Sequence, residues 1–267
     1  MRMVYEIARQ EFVRVLTYPL IPIVFLIILI IAYLNGAGGA RDLRSFEEWT
    51  TGDALLQGFG QSYGATSMIC TIMAIFLGAT SIPYERWSGS LNVLLTKPLY
   101  RRDYVIGKFM GLSGFMLLFN TFTLLFIGLL MIMFFRGPQS SLEFIWRLAA
   151  YIIIMSLSCS TVIALNMLFG VISKDILVVT SASMTYIFFD WIWHNERILG
   201  DLSILTPMTL YGLAIHPFAE PFNPLFNTTV QFYRWFSAAL PFLAILFIEM
   251  FLFLLVGVYL FSREDNV

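Results

Sequence analysis

Long uncharged runs punctuate this sequence. A helix rising 1.5 Å per residue needs about 20 residues to cross about 30 Å of hydrocarbon. Six runs fit that length: Tyr18 to Leu34, the later part of Ala54 to Tyr84 from about Ser62, Phe109 to Phe135, Leu148 to Ser173, Ile176 to about Trp193, and Trp235 to Phe261. Alternation of apolar and polar residues is absent, so helices are expected rather than a barrel. Composition agrees: 59% of the 267 residues are hydrophobic and 12% charged, and the mean hydropathy is +0.80. Ordinary soluble domains hold roughly 45 to 50% apolar and about 25% charged residues. One soluble core cannot hide that excess, which excludes a soluble enzyme. The fold class expected is an all-α integral membrane protein, with residues 1–267 forming a single transmembrane domain.

Charge placement sets the expected orientation. With the N-terminus inside, Arg2, Arg9, Arg14, Arg86, Lys97, Arg101, Arg102, Lys108, Lys174 and Arg263 face the cytoplasm, against Arg41, Arg44, Arg136, Arg147, Arg197 and Arg234 outside. Ten of the 16 basic residues then obey the positive-inside rule, and the cluster between spans two and three decides it. A multi-pass cell-membrane protein with both termini cytoplasmic is expected. The formal charge of -1 gives no pull toward nucleic acid. No cleavable signal is expected, because charges interrupt the start of the chain and no small-residue cleavage pattern follows the first apolar run.

Residues 2–17 read as an interfacial helix. Val4, Ile7, Ala8, Phe12, Val15 and Leu16 recur at helical spacing opposite Arg2, Glu6, Arg9 and Gln10, while Glu11 and Val13 break the stripe. Pro19 and Pro22 then favour a turn into the first span, the alternative being one longer, kinked helix. Outside, residues 194–234 carry Pro207, Pro217, Pro221 and Pro224 around an apolar stretch, Leu202 to Ile215, too short to cross. A re-entrant hairpin and a buried loop cap both fit its length. Asn227-Thr228-Thr229 is a formal glycosylation sequon.

Residues 84–104 form the most informative stretch. Trp87, Leu91, Leu94 and Leu95 fall at i, i+4, i+7 and i+8, one apolar stripe on a short helix that Pro98 stops. Fixed at both ends to transmembrane helices, such a helix can transmit a push from a soluble partner. Glu85-Arg86, Gly89-Ser90-Leu91, Leu94-Leu95, Pro98, Arg101-Arg102 and Gly107-Lys108 follow one another in the order that resembles the ABC type-2 permeases, including those associated with nitrous oxide reductase maturation. These are the membrane subunits of ATP-binding-cassette exporters.

The resemblance implies an architecture of six transmembrane helices with a cytoplasmic coupling helix between helices 2 and 3. It makes Glu85, Arg86, Trp87, Leu91, Leu94 and Leu95 the surface docked by an ABC ATPase subunit, with Glu85 and Arg86 as polar contacts or cytoplasmic anchors. Membrane-surface contact with lipid headgroups is the plainer alternative, and it is the expectation for Arg101, Arg102 and Lys108. The implied function is an ABC transporter permease that couples ATP hydrolysis on separate subunits to export. Its implied partners are ABC ATPase subunits, a second permease copy or a related permease, membrane lipid and an extracytoplasmic partner on the outer segment. No phosphate loop occurs in this chain, so ATP and magnesium are expected only on the ATPase, and no cofactor or catalytic site here.

Polar residues in the apolar runs supply the remaining candidates. Glu249 sits near the middle of the sixth run, where a carboxyl usually faces protein or water, and so suits a translocation path or an interhelical contact, for example to Asn120 or Asn166. With Asp190 it would also suit a secondary transporter or channel. Asp190, His194 and Glu196 permit a metal or catalytic site, but Trp191 and Trp193 make an aromatic belt the simpler expectation. Gly107, Gly111 and Gly114 form a small surface for helix packing, within one subunit or between two. Cys70 and Cys159 lie in apolar runs and imply neither a disulfide nor a metal site, and 13 dispersed methionines read as packing.

Overall fold

The computed structural model describes residues 2–45, 53–87, 101–135, 137–173, 175–192, 205–218 and 225–263. Its helices are α1 (Arg2–Leu16), α2 (Leu20–Ser45), α3 (Ala54–Ser81), α4 (Pro83–Trp87), α5 (Arg101–Phe134), α6 (Ser141–Ile172), α7 (Ile176–Ile192), α8 (Pro207–Ile215) and α9 (Phe232–Arg263). No strand occurs among the described residues. Five segments are long and apolar enough to cross a bilayer: Leu20–Gly38, Ser62–Glu85, Arg101–Phe134, Ser141–Ile172 and Phe232–Arg263. The fifth apolar run of the sequence forms α7, which at 17 residues is shorter than those five.

α1 and α2 are separate helices, because the chain turns at Thr17, Tyr18 and Pro19 and resumes its helix at Leu20. The Thr17 hydroxyl donates to the Val13 and Arg14 carbonyls, closing the end of α1, and Pro22 falls in the first turn of α2, where its missing N–H costs nothing. α1 lies along the start of α5. Ile7 and Phe12 pack on the core, Val15 is buried, and the Phe12 and Phe115 rings meet edge to face at 6.1 Å.

α3 and α6 form the packed centre. Gly78 allows their close approach, since a Cβ there would fall 2.7 Å from the Asn166 Cβ and 3.1 Å from the Ile163 carbonyl oxygen. α9 runs along α6, burying Trp235, Ala239, Leu246, Met250, Gly257 and Phe261 and turning its opposite face outward. The end of the bundle that carries α1, α4 and the last turn of α9 is termed proximal; the other, with Asp53, the start of α6 and α8, is distal.

Candidate functional site

At the proximal end, α1, the α3–α4 junction and α5 converge on a buried cluster of charges. α5 has 34 residues, about 50 Å at 1.5 Å per residue, so it extends beyond about 30 Å of hydrocarbon. Lys108 lies in its second turn yet is 1% exposed. Its Nζ donates to Glu85 Oε1 at 2.6 Å and to the Ser81 carbonyl at 2.6 Å, and stands 3.6 Å from Glu11 Oε1. Arg14 reaches Glu11 Oε1 at 2.5 Å and Glu85 Oε1 at 3.2 Å. The Tyr104 hydroxyl donates to Glu85 Oε2, and the Tyr104 ring stacks on Phe261 at 5.8 Å. Two acids and two bases thus share one site, with α9 packed on its edge. Burial pushes the Glu11 carboxyl up from the ordinary range, against the opposing pull of Lys108 and Arg14.

Glycine brings α1 close enough to take part. A Cβ at Gly111 would lie 2.5 Å from the Ala8 carbonyl oxygen, and one at Gly107 would lie 2.9 Å from the Ile7 Cβ. Both glycines therefore pack against α1 within the subunit, whereas nothing lies within 4 Å of a Cβ at Gly114.

Several expected site residues find a different place. Lys108 does not face lipid headgroups. Its side chain is enclosed by α1, α3 and α4, because in low dielectric the Glu85 carboxylate and a carbonyl are the partners that offset its desolvation. Glu85 is likewise engaged inside the subunit. For Arg86 and Trp87 the backbone alone is described, in α4; Leu91, Leu94 and Leu95 lie outside the described residues, as do His194 and Glu196. Arg101 sits 5.9 Å over the Phe261 ring, and Arg102, largely exposed, pairs with Asp103 at 3.5 Å.

Asp190 is 5% exposed and caps α8. Its Oδ2 accepts from the Met208 N–H at 2.9 Å, and its Oδ1 from the Thr206 and Thr209 hydroxyls at 2.5 and 3.3 Å. The carboxylate meets one otherwise unsatisfied backbone N–H and two hydroxyls at the start of a buried helix. Among the described residues no group of three or more His, Cys, Asp or Glu side chains is placed to hold a metal. Glu249 lies within electrostatic reach of Asp190, and its Oε2 is buried with no hydrogen-bond partner in the protein. Asn120 donates to Ser156 and Cys159, and Asn166 to the Val162 carbonyl, so neither amide serves Glu249.

The distal end is clamped by two residues that sequence patterns did not single out. Asp53 caps α3 through Leu55 N at 3.0 Å, accepts from Gln139 N at 2.9 Å, and donates its own N–H to Thr228 Oγ1 at 3.0 Å. Arg147, fully buried, donates to the carbonyls of Leu225 and Val230 at 2.7 and 2.6 Å and to Glu143 Oε1 at 2.6 Å. Between those carbonyls Phe226 enters an aromatic box, stacked on Phe59 at 6.1 Å and edge-on to Tyr151 at 5.1 Å. Tyr63 and His216 share a hydrogen bond at 2.8 Å, and burial holds the His216 imidazole below its ordinary value. The stretch read as an outer hairpin or cap thus supplies α8, packed against α6 and α9, and residues 225–230, whose Leu225, Phe226 and Val230 are buried.

A family model described as ABC-2 family transporter protein matches residues 5–266. No curated protein matches the chain.

Proposed function

Because the chain belongs to the ABC-2 family of transporter proteins, we propose that it is the permease subunit of an ATP-driven exporter, working beside ATPase subunits that bind ATP and magnesium. In this reading the proximal end is cytoplasmic, and the ATPase docks on the segment that begins in α4, through Trp87, Leu91, Leu94 and Leu95. α7 supplies the sixth crossing, with α8 as a re-entrant element beside it. A second permease copy completes the path, and the outer segment 194–234 is available to an extracytoplasmic partner.

The observation that carries the proposal is the fixing of Glu85. A push on the docking segment acts on the bundle only if its root engages the spans, and Glu85 in α4, which directly follows α3, is bonded in the described state to Lys108 and Tyr104 of α5 and paired with Arg14 of α1. Closure of two ATPase subunits on ATP would act through that root and bias the spans between inward-open and outward-open states; hydrolysis would reset them.

The test is copurification. Trp87→Asp with Leu91→Asp should detach the ATPase subunits while the chain still inserts and elutes as a folded species. ATPase subunits retained by that variant at the wild-type ratio would remove the docking assignment.

A further inference from the structure

The proximal charges are arranged as a square rather than as two pairs, and that arrangement has a mechanical meaning. Lys108 Nζ is 2.6 Å from Glu85 and 3.6 Å from Glu11; Arg14 is 2.5 Å from Glu11 and 3.2 Å from Glu85. Each cation therefore has one carboxylate in close contact and a second within ion-pair distance. The two carboxylates differ in what holds them. Glu11 belongs to α1, whose backbone is seated on α5 at Gly107 and Gly111. Glu85 belongs to α4, a helix of five residues that follows the end of α3.

We propose that this square is a two-position ionic latch, in which Lys108 holds Glu85 in the described state and falls back on Glu11, already paired with Arg14, when α4 is drawn away. Without Glu11, withdrawal of Glu85 would leave a buried ammonium with the Ser81 carbonyl and no carboxylate, the costly event for any buried pair. Glu11 makes the withdrawal reversible by giving Lys108 an alternative acceptor that travels with α5. α1 and α5 then stay joined in both states while α4 alternates. Glu11, which interrupts the apolar stripe of α1, is accordingly a positioning residue for the moving helix. The inference rests on the reading that the chain from α4 onward is driven by an ATPase.

Distances between paired spin labels in the complete complex test it. Val13→Cys on α1, Tyr84→Cys on α4 and Met110→Cys on α5 are exposed sites, and the native Cys70 and Cys159 are buried. Between the nucleotide-free complex and the complex trapped with ATP and vanadate, the 13–84 and 84–110 distances should each shift by more than ~2 Å, the scale of a helix displacement. The 13–110 distance should stay constant. Glu11→Gln should abolish both shifts while ATPase subunits still copurify, and Glu11→Asp should restore them. All three distances constant in a wild-type complex that turns over ATP would overturn the latch and leave the coupling reading standing, as would shifts undiminished in Glu11→Gln. If the wild-type chain captures no ATPase, the coupling reading fails and the latch with it. The wild-type distances alone decide the matter should Glu11→Gln not fold.

Discussion

Arg147 donates to the carbonyl oxygens of Leu225 and Val230, which lie on either side of Phe226 in the chain. A guanidinium with no exposed surface is retained because its fork satisfies both carbonyls and Glu143 at once. Arg147→Ala should therefore release the 225–230 segment and cost about 3–5 kcal/mol, the usual penalty for breaking a buried charged contact. Faster proteolytic cleavage near Phe226, in detergent-solubilised protein, is the expected readout. Arg147→Lys should recover only part of the loss, since an ammonium lacks the planar fork.

Gly111 and Gly114 should separate cleanly on substitution. Gly111→Val places a branched side chain against the Ala8 carbonyl and the Glu11 Cβ, and should lower stability by about 1–3 kcal/mol through overpacking while lifting α1 from α5. Gly114→Ala, with open space around its Cβ and alanine the better helix former, should hold the thermal midpoint or raise it slightly. Thiol labelling of Phe12→Cys would report the exposure of α1 in each background.

Lys108→Ala leaves Glu85 and Glu11 near each other with the half-exposed Arg14 in place of their shared buried cation. A loss of about 3–5 kcal/mol is expected in thermal unfolding. Lys108→Met combined with Glu85→Gln and Glu11→Gln should be milder than Lys108→Ala alone, because no two buried carboxylates then share Arg14 as their one cation. Equal losses in the two backgrounds would mean that packing rather than charge holds this corner.

Asp190→Asn keeps one oxygen for the Thr206 and Thr209 hydroxyls but turns an amide toward the Met208 N–H. The loss of a charge-assisted cap should cost about 1–2 kcal/mol. Slower hydrogen exchange in α8 of the wild type than in the variant is the measurement that checks it.

His216 gives an acid limb. Its pKa is held below 6.5 in the folded chain, so the unfolded chain takes up the proton first as pH falls. The contribution of neutral His216 to stability should thus be intact above about pH 6.5, decline below it, and level off under the folded value. Melting curves across that range should show the decline, and His216→Gln should flatten it.

Much of the bundle could be read from the chain because lipid imposes a simple grammar: long uncharged runs became helices, and proline at 19 marked where α1 ends. Glu11 was visible too, as the residue that broke the apolar stripe, although its partner Lys108 lies 97 residues away and no local pattern announces it. Lys108 was expected at headgroups for a sound local reason, its place at a span's edge; only tertiary packing of α1 turns that edge inward. Asp190 sat beside two tryptophans, so a belt was the natural expectation, and its capping role depends on a helix that starts 17 residues later. Arg147 and Asp53 looked like ordinary outer charges, since backbone carbonyls, hydroxyls and amides as partners leave no trace in composition.

α9 is fully buried only along one line from Trp235 to Phe261, flanked by half-buried residues such as Leu243 and Leu254, and offers its opposite face to the surroundings. Acyl chains and apolar side chains are nearly equivalent solvents for such a surface. This helix can therefore trade protein neighbours for lipid at little expense, which makes it the flank where a bilayer of different thickness or fluidity would most readily retune the bundle.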